Sequence, residues 1–149
     1  MTSPGPDVRR LAVLVGRWHT EGWTRAGVDS PAQRIDATDT YEWVGGGWAL
    51  LHLIDARVGA TVVQGAELIG HDAGSGSYVS LYVGSAGPTR YEAALLESGG
   101  ELTWTMTSRD TRFAGRFVHD RAVINGYWEL LDHGQWRRWM DITLTREPA

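Results

Sequence analysis

From Trp18 onward, apolar and polar residues alternate in short runs, the period-two pattern of strands buried on one face. Turn-forming clusters interrupt the runs at Ala26–Pro31, Gly45–Gly47, Ala56–Ala60, Asp72–Gly76, Ser85–Pro88, Ser98–Gly100, Arg109–Asp110, His119–Asp120 and Asp132–Gly134. The breaks predict ten strands: Trp18–Arg25, Arg34–Val44, Trp48–Asp55, Val62–Gly70, Tyr78–Gly84, Thr89–Leu96, Glu101–Thr107, Arg112–Val118, Ala122–Leu131 and Gln135–Arg146. No helix-length pattern separates them, so successive hairpins are expected, and a meander of ten antiparallel strands removes its edges by closing. The pattern predicts an all-β fold, a closed or nearly closed up-and-down barrel. Asn125-Gly126, flanked by apolar residues, reads as a bulge and not as a hairpin turn.

One segment departs from period two. Val8, Leu11, Ala12 and Val15 recur at helical spacing, Asp7 stands where an N-cap belongs, and Gly16 can end the element. A short helix over about 7–15 and a barrel over about 18–146 therefore make one domain. Two strands alternate cleanly, with Leu102, Trp104 and Met106 opposite Thr103 and Thr105, and Phe113 and Phe117 opposite Arg112 and Arg116. Others carry bulk on both faces, such as Tyr78 and Tyr82 against Val79, Leu81 and Val83. That bulk suits either a ligand-lined lumen or an outer face packed on the helix or a second subunit.

Composition adds large rings and removes chemistries. Eight tryptophans, five tyrosines and nineteen glycines indicate broad aromatic surfaces held between many turns. There is no cysteine, and all 14 basic residues are arginine. Disulfides, thiolate metal sites, cysteine nucleophiles and Schiff-base or phosphate-loop lysines are excluded. A net charge of -4 argues against nucleic acid and anionic membrane surfaces, which leaves small molecules and proteins as partners. No apolar run approaches the roughly 20 residues of a membrane span. Arg9-Arg10 precedes a short apolar run, but it stops at Gly16-Arg17-Trp18 without a cleavage-site pattern, so a cytoplasmic location is expected.

Parity then suggests a site. If Trp18 points inward, Thr20, Gly22 and Thr24 follow it, while His19, Glu21 and Trp23 face out. Tyr41 and Trp43 share one face of the second strand, and Trp48, Leu50, His52 and Ile54 share one face of the third. Trp104, Trp128 and either Trp136 or Trp139 complete an aromatic set large enough to line a cavity. Of the five histidines, His71, His119 and His133 fall in predicted turns, whereas His52 stands among Leu50, Leu51, Leu53 and Ile54. Glu67, between Ala66 and Leu68, is the carboxylate that the pattern most directly buries, and neighbouring strands could bring it to His52. No metal-ligand spacing occurs; Asp72–Gly76 lacks the ordered acidic ligands of a calcium loop, and Gly45–Gly47 joins strand to strand as a turn.

Leu14-Val15-Gly16-Arg17-Trp18 resembles the Gly-x-Trp opening of the calycin barrels, which include the lipocalins. The chain is also similar to a bacterial family called DUF1579, through Asp39-Thr40-Tyr41-Glu42-Trp43, Gly45-Gly46-Gly47, Leu50-Leu51-His52, Leu68-Ile69-Gly70-His71-Asp72 and Trp139 to Arg146. The resemblance implies a lipocalin-like barrel and no settled activity. In calycins the opening Trp lies at the closed end beneath an Arg of the last strand, which implies a structural pair of Trp18 and Arg146, a contact of roughly 0.5 to 2 kcal/mol. The haem-binding barrels called nitrobindins share the opening motif, but their iron is held by a His near the C-terminal end. The last strand here has no His, and its most conspicuous polar residue is Asp141, so no haem and no other cofactor is expected.

These observations favour a barrel binding a small apolar or aromatic molecule through Thr20, Tyr41, Trp43, His52, Glu67, Trp104, Trp128 and Trp139. One alternative is a cofactor-independent isomerase or cyclase using His52 and Glu67 as acid and base. A lesser one is a dimeric interaction module, a homodimer joined through outward side chains.

Overall fold

The N-terminal segment begins as a single α-helical turn, α1 (Pro6–Arg9), and tightens at once into a 3-10 helix over Arg10–Leu14. The structure, a computed structural model, describes residues 2–27 and 29–149. Val28, within the predicted Ala26–Pro31 turn, lies outside the described residues. Two features of the expected helix are corrected. Gly5 occupies the N-cap with Pro6 directly after it, where proline's missing N–H leaves no bond unmade; Asp7 is therefore not the cap. The tightening has a packing cause: Val8, Leu11 and Leu14 are buried at a spacing of three, and 3-10 geometry stacks such positions in one row. Gly16, expected to end the helix, instead starts the first strand at φ +134°.

The ten strands are β1 (Gly16–Thr24), β2 (Arg34–Val44), β3 (Ala49–Val58), β4 (Thr61–Asp72), β5 (Ser77–Gly84), β6 (Gly87–Ser98), β7 (Glu101–Thr107), β8 (Thr111–Val118), β9 (Val123–Asp132) and β10 (Gln135–Arg146). Each pairs antiparallel with the next, and β1 pairs with β10 from Trp18↔Arg146 to Thr24↔Met140, so the barrel is closed. The Gly45–Gly47 connection turns with all three residues at positive φ, a conformation that side chains disfavour.

The bulge expected at Asn125-Gly126 is absent. Both residues pair in unbroken register with Thr143 and Ile142, and the register shift falls instead between Arg138 and Met140 on β10. Gly126 answers to packing: a Cβ there would lie 2.6 Å from the ring of Phe113.

Inward positions build the core, in which Trp18, Leu50, Ile69, Trp104, Ile124 and Leu144 are buried. The N-terminal helices lie across one end of the barrel. Tyr78 Oη donates to the Asp7 carbonyl at 2.6 Å, Arg10 Nη2 donates to the Leu95 carbonyl at 3.0 Å, and Leu11 and Leu14 fill the opening. Outward bulk remains uncovered on β3 to β5, where Leu53, Leu68, Leu81 and Val83 are about half exposed. Among the described residues no helix is long and apolar enough to cross a membrane.

Candidate functional site

Parity places one polar side chain from each of five consecutive strands on the inner wall: Thr20 on β1, Asp39 on β2, His52 on β3, Glu67 on β4 and Ser80 on β5. These five are the buried polar side chains of the described residues. His52 and Glu67 are direct partners in the β3–β4 register; the other contacts are diagonal, as the stagger of a barrel requires.

The five form one hydrogen-bonded row. The Thr20 hydroxyl donates to Asp39 Oδ2 at 2.5 Å, and Asp39 Oδ1 lies 2.7 Å from His52 Nε2. On the other side of the ring, His52 Nδ1 lies 2.8 Å from Glu67 Oε1, and the Ser80 hydroxyl donates to Glu67 Oε2. A neutral imidazole has one N–H and could serve one carboxylate; a doubly protonated ring serves both. Burial disfavours that charge, but the hydrogen bonds to Asp39 and Glu67 and the charges of both outweigh it, lifting the His52 pKa from 6.5 to about 9.

Thr20, Asp39, His52 and Glu67 of the row form part of the wall of a cavity of about 290 Å³. Leu14, Leu144 and Trp104 lie toward the helix-covered end, while Val58, Val63, Trp139 and Met140 carry the cavity toward the opposite end. Between them, Tyr82, Tyr91, Phe113 and Trp128 bring rings to the lumen. The β10 bulge lets Trp139 and Met140 both line the cavity although they are adjacent in sequence. Trp136, the other candidate, lies under the guanidinium of Arg112, 4.3 Å from its ring centre, and does not line the cavity.

Of the residues expected to contact a ligand, Thr20, Tyr41, His52, Glu67, Trp104, Trp128 and Trp139 line this cavity. Trp43 does not: paired with Leu50 near the helix-covered end, it packs half-buried against the core. Sequence reasoning missed Asp39 and Ser80. Both were within reach of the parity argument, since Asp39 shares a face with Tyr41, and Ser80 with Tyr78 and Tyr82. The outward residues behave as expected, with His19 paired to Asp36 and Glu21 to Arg34 on the surface.

The Trp18 and Arg146 pair sits at the helix-covered end. The guanidinium lies 4.1 Å from the indole centre, and its nitrogens donate to the carbonyls of Val13 and Val15. No feature of this pair faces the cavity.

Among the described residues no three acidic or imidazole side chains converge in a metal-binding group. An axially ligated haem does not fit the residues present: His52, the imidazole of the cavity, has both nitrogens engaged by carboxylates, and β10 offers no histidine.

The family described as "Protein of unknown function (DUF1579)" matches residues 3–146. The chain belongs to the DUF1579 family. Comparison with curated proteins gives no match. Among solved structures, this DUF1579 protein is similar to Rv2717c from M. tuberculosis, with a TM-score of 0.76 and 13% identity over 97% of this chain and 99% of that one. It is also similar to the S-type phycobiliprotein lyase CPES from Guillardia theta, with a TM-score of 0.60 and 11% identity over 98% and 99%. At these identities the likeness establishes the shared barrel fold.

Proposed function

We propose that this DUF1579 barrel binds a small, largely apolar or aromatic molecule in its lumen. The observation that carries the reading is the coexistence of an aromatic-lined cavity of about 290 Å³ with a fully hydrogen-bonded polar row along one wall. Apolar walls supply binding energy by burying ligand surface, and a few fixed polar groups set orientation. The kinship of shape with a phycobiliprotein lyase bears on the fold, and the ligand class is argued from the lining alone.

The same geometry argues against His52 as a general base. A general base needs a free lone pair aimed at substrate, yet both His52 nitrogens face carboxylates within the wall. A second reading, self-association through the outer face of β3 to β5, is favoured by the half-exposed Leu53, Leu68, Leu81 and Val83.

Native mass spectrometry of the purified protein addresses both readings, through a mass excess lost on denaturation and through the subunit number. Titration with 2-naphthylmethanol, followed by tryptophan fluorescence, tests the lumen directly. Saturable quenching is expected, with loss of binding in Ala56→Phe, where a ring replaces a methyl on the cavity wall. Unchanged binding in a folded Ala56→Phe variant would move the site out of the lumen.

A further inference from the structure

Resting on the reading of the lumen as a binding site, we infer that its ligand carries a cationic hydrogen-bond donor, a protonated amine or amidine in chemical class, seated on the oxygens of Asp39 and Glu67. A proton count gives the charge of the row. The two bonds flanking His52 each require one proton, wherever along the bond it sits. Two carboxylates and an imidazole that together hold two such protons carry a net charge of about -1.

Among the described residues no further counter-charge stands in the wall. No arginine is among the residues lining the cavity, and the chain has no lysine. Arg146, which reaches the barrel's covered end, is held over Trp18 by backbone carbonyls. A buried charge without a partner is costly, and a monovalent cation entering the lumen supplies the missing one.

The row also leaves a ligand only one hydrogen-bonding role. Every donor of the row is spent within it: the Thr20 hydroxyl on Asp39, both His52 nitrogens on carboxylates, and the Ser80 hydroxyl on Glu67. What the row still offers is acceptor lone pairs, since each carboxylate oxygen can take a second donor. A carboxylate or phosphate ligand would meet like charge and find no donor there. The surrounding tyrosine and tryptophan rings add to the preference, because their faces attract cations. Toward the opposite end, the buried indole N–H of Trp139 has no partner among the described residues, so an acceptor farther along the same ligand would satisfy it.

Three probes of one shape test this at pH 7: 2-naphthylmethylamine, 2-naphthylmethanol and 2-naphthoate, each titrated calorimetrically into the intact protein. The amine is expected to bind at least tenfold more tightly than the alcohol, and the carboxylate more weakly than either. In Asp39→Asn and Glu67→Gln, checked for folding by circular dichroism, the advantage of the amine should shrink to within about threefold of the alcohol. Equal affinity for amine and alcohol, or tighter binding of the carboxylate, in the wild-type protein overturns the inference while leaving the binding reading intact. Failure of all three to bind overturns the binding reading and the inference with it. The order of the probes in the wild-type protein decides the matter even where a variant does not fold.

Discussion

Tyr41 and His52 face each other directly across the β2–β3 ladder, and their rings are stacked with centroids 3.9 Å apart and planes 9° apart. The stack holds the imidazole in the plane from which both of its nitrogens reach carboxylates, and the tyrosine face favours the charged form of the ring. Burial, followed by the negative charges of Asp39 and Glu67, holds the Tyr41 phenol well above its ordinary pKa. The phenol therefore stays neutral while His52 titrates. One strand pair thus supplies an aromatic wall and a fixed charge to the same cavity.

His52 makes stability depend on pH in a direction set by its raised pKa. The folded value of about 9 exceeds the unfolded 6.5, so folding takes up protons between the two. The contribution is fully present below about pH 6.5 and is lost as pH rises through 9, to a limit of about 3 kcal/mol for a shift of this size. Urea unfolding at pH 6 and pH 9.5 should show the loss, and the ring's NMR signals at pH 7 should be those of an imidazolium. A neutral ring at pH 7, or stability that rises over this range, would contradict the assignment.

The strand frame was readable because period-two alternation and glycine-rich turns are local signals. All ten strands fall within a few residues of where the pattern places them. What the pattern could not show was the competition among neighbours in space. Gly126 looks like a bulge in sequence, but the ring of Phe113 from the adjacent strand occupies its missing side chain, and the bulge forms beside Trp139 instead. The helix likewise shortened because Leu11 and Leu14 stack under the barrel's end. His52 and Glu67 were legible as polar residues in apolar strands; Asp39 escaped notice because Asp36 and Thr38 beside it make its strand look polar on both faces.

The Gly126 and Phe113 contact gives a second prediction. A methyl group at Gly126 would fall 2.6 Å from Phe113 and 3.1 Å from the Ala114 carbonyl, and the ring, packed 5.2 Å from Trp128, has little room to withdraw. Gly126→Ala should cost about 1 to 3 kcal/mol, the usual range for overpacking. In a Phe113→Leu background the penalty should shrink by about 1 kcal/mol or more, a coupling readable from a double-mutant cycle in urea. Strict additivity would mean that the ring does not set the requirement for glycine.

The last prediction separates the covered end of the barrel from its cavity. Trp18 is fully buried, donates from Nε1 to the Leu14 carbonyl at 2.9 Å and meets Phe117 edge-on, yet it does not line the cavity. Trp18→Ala should therefore lower stability by about 3 to 5 kcal/mol, the range for removing a large core side chain. Arg146→Lys should also destabilise, by about 1 to 3 kcal/mol, because an ammonium cannot lie flat on the indole and also reach the carbonyls of Val13 and Val15. Both variants, studied where they remain folded, should bind 2-naphthylmethanol within about twofold of the wild-type affinity. The two effects have different origins: the pair ties the N-terminal helices to β10, whereas of those helices only Leu14 lines the cavity in which the probe is proposed to bind. A Trp18 variant of unchanged stability but altered affinity would place the indole in the binding site and remove the distinction between the two ends.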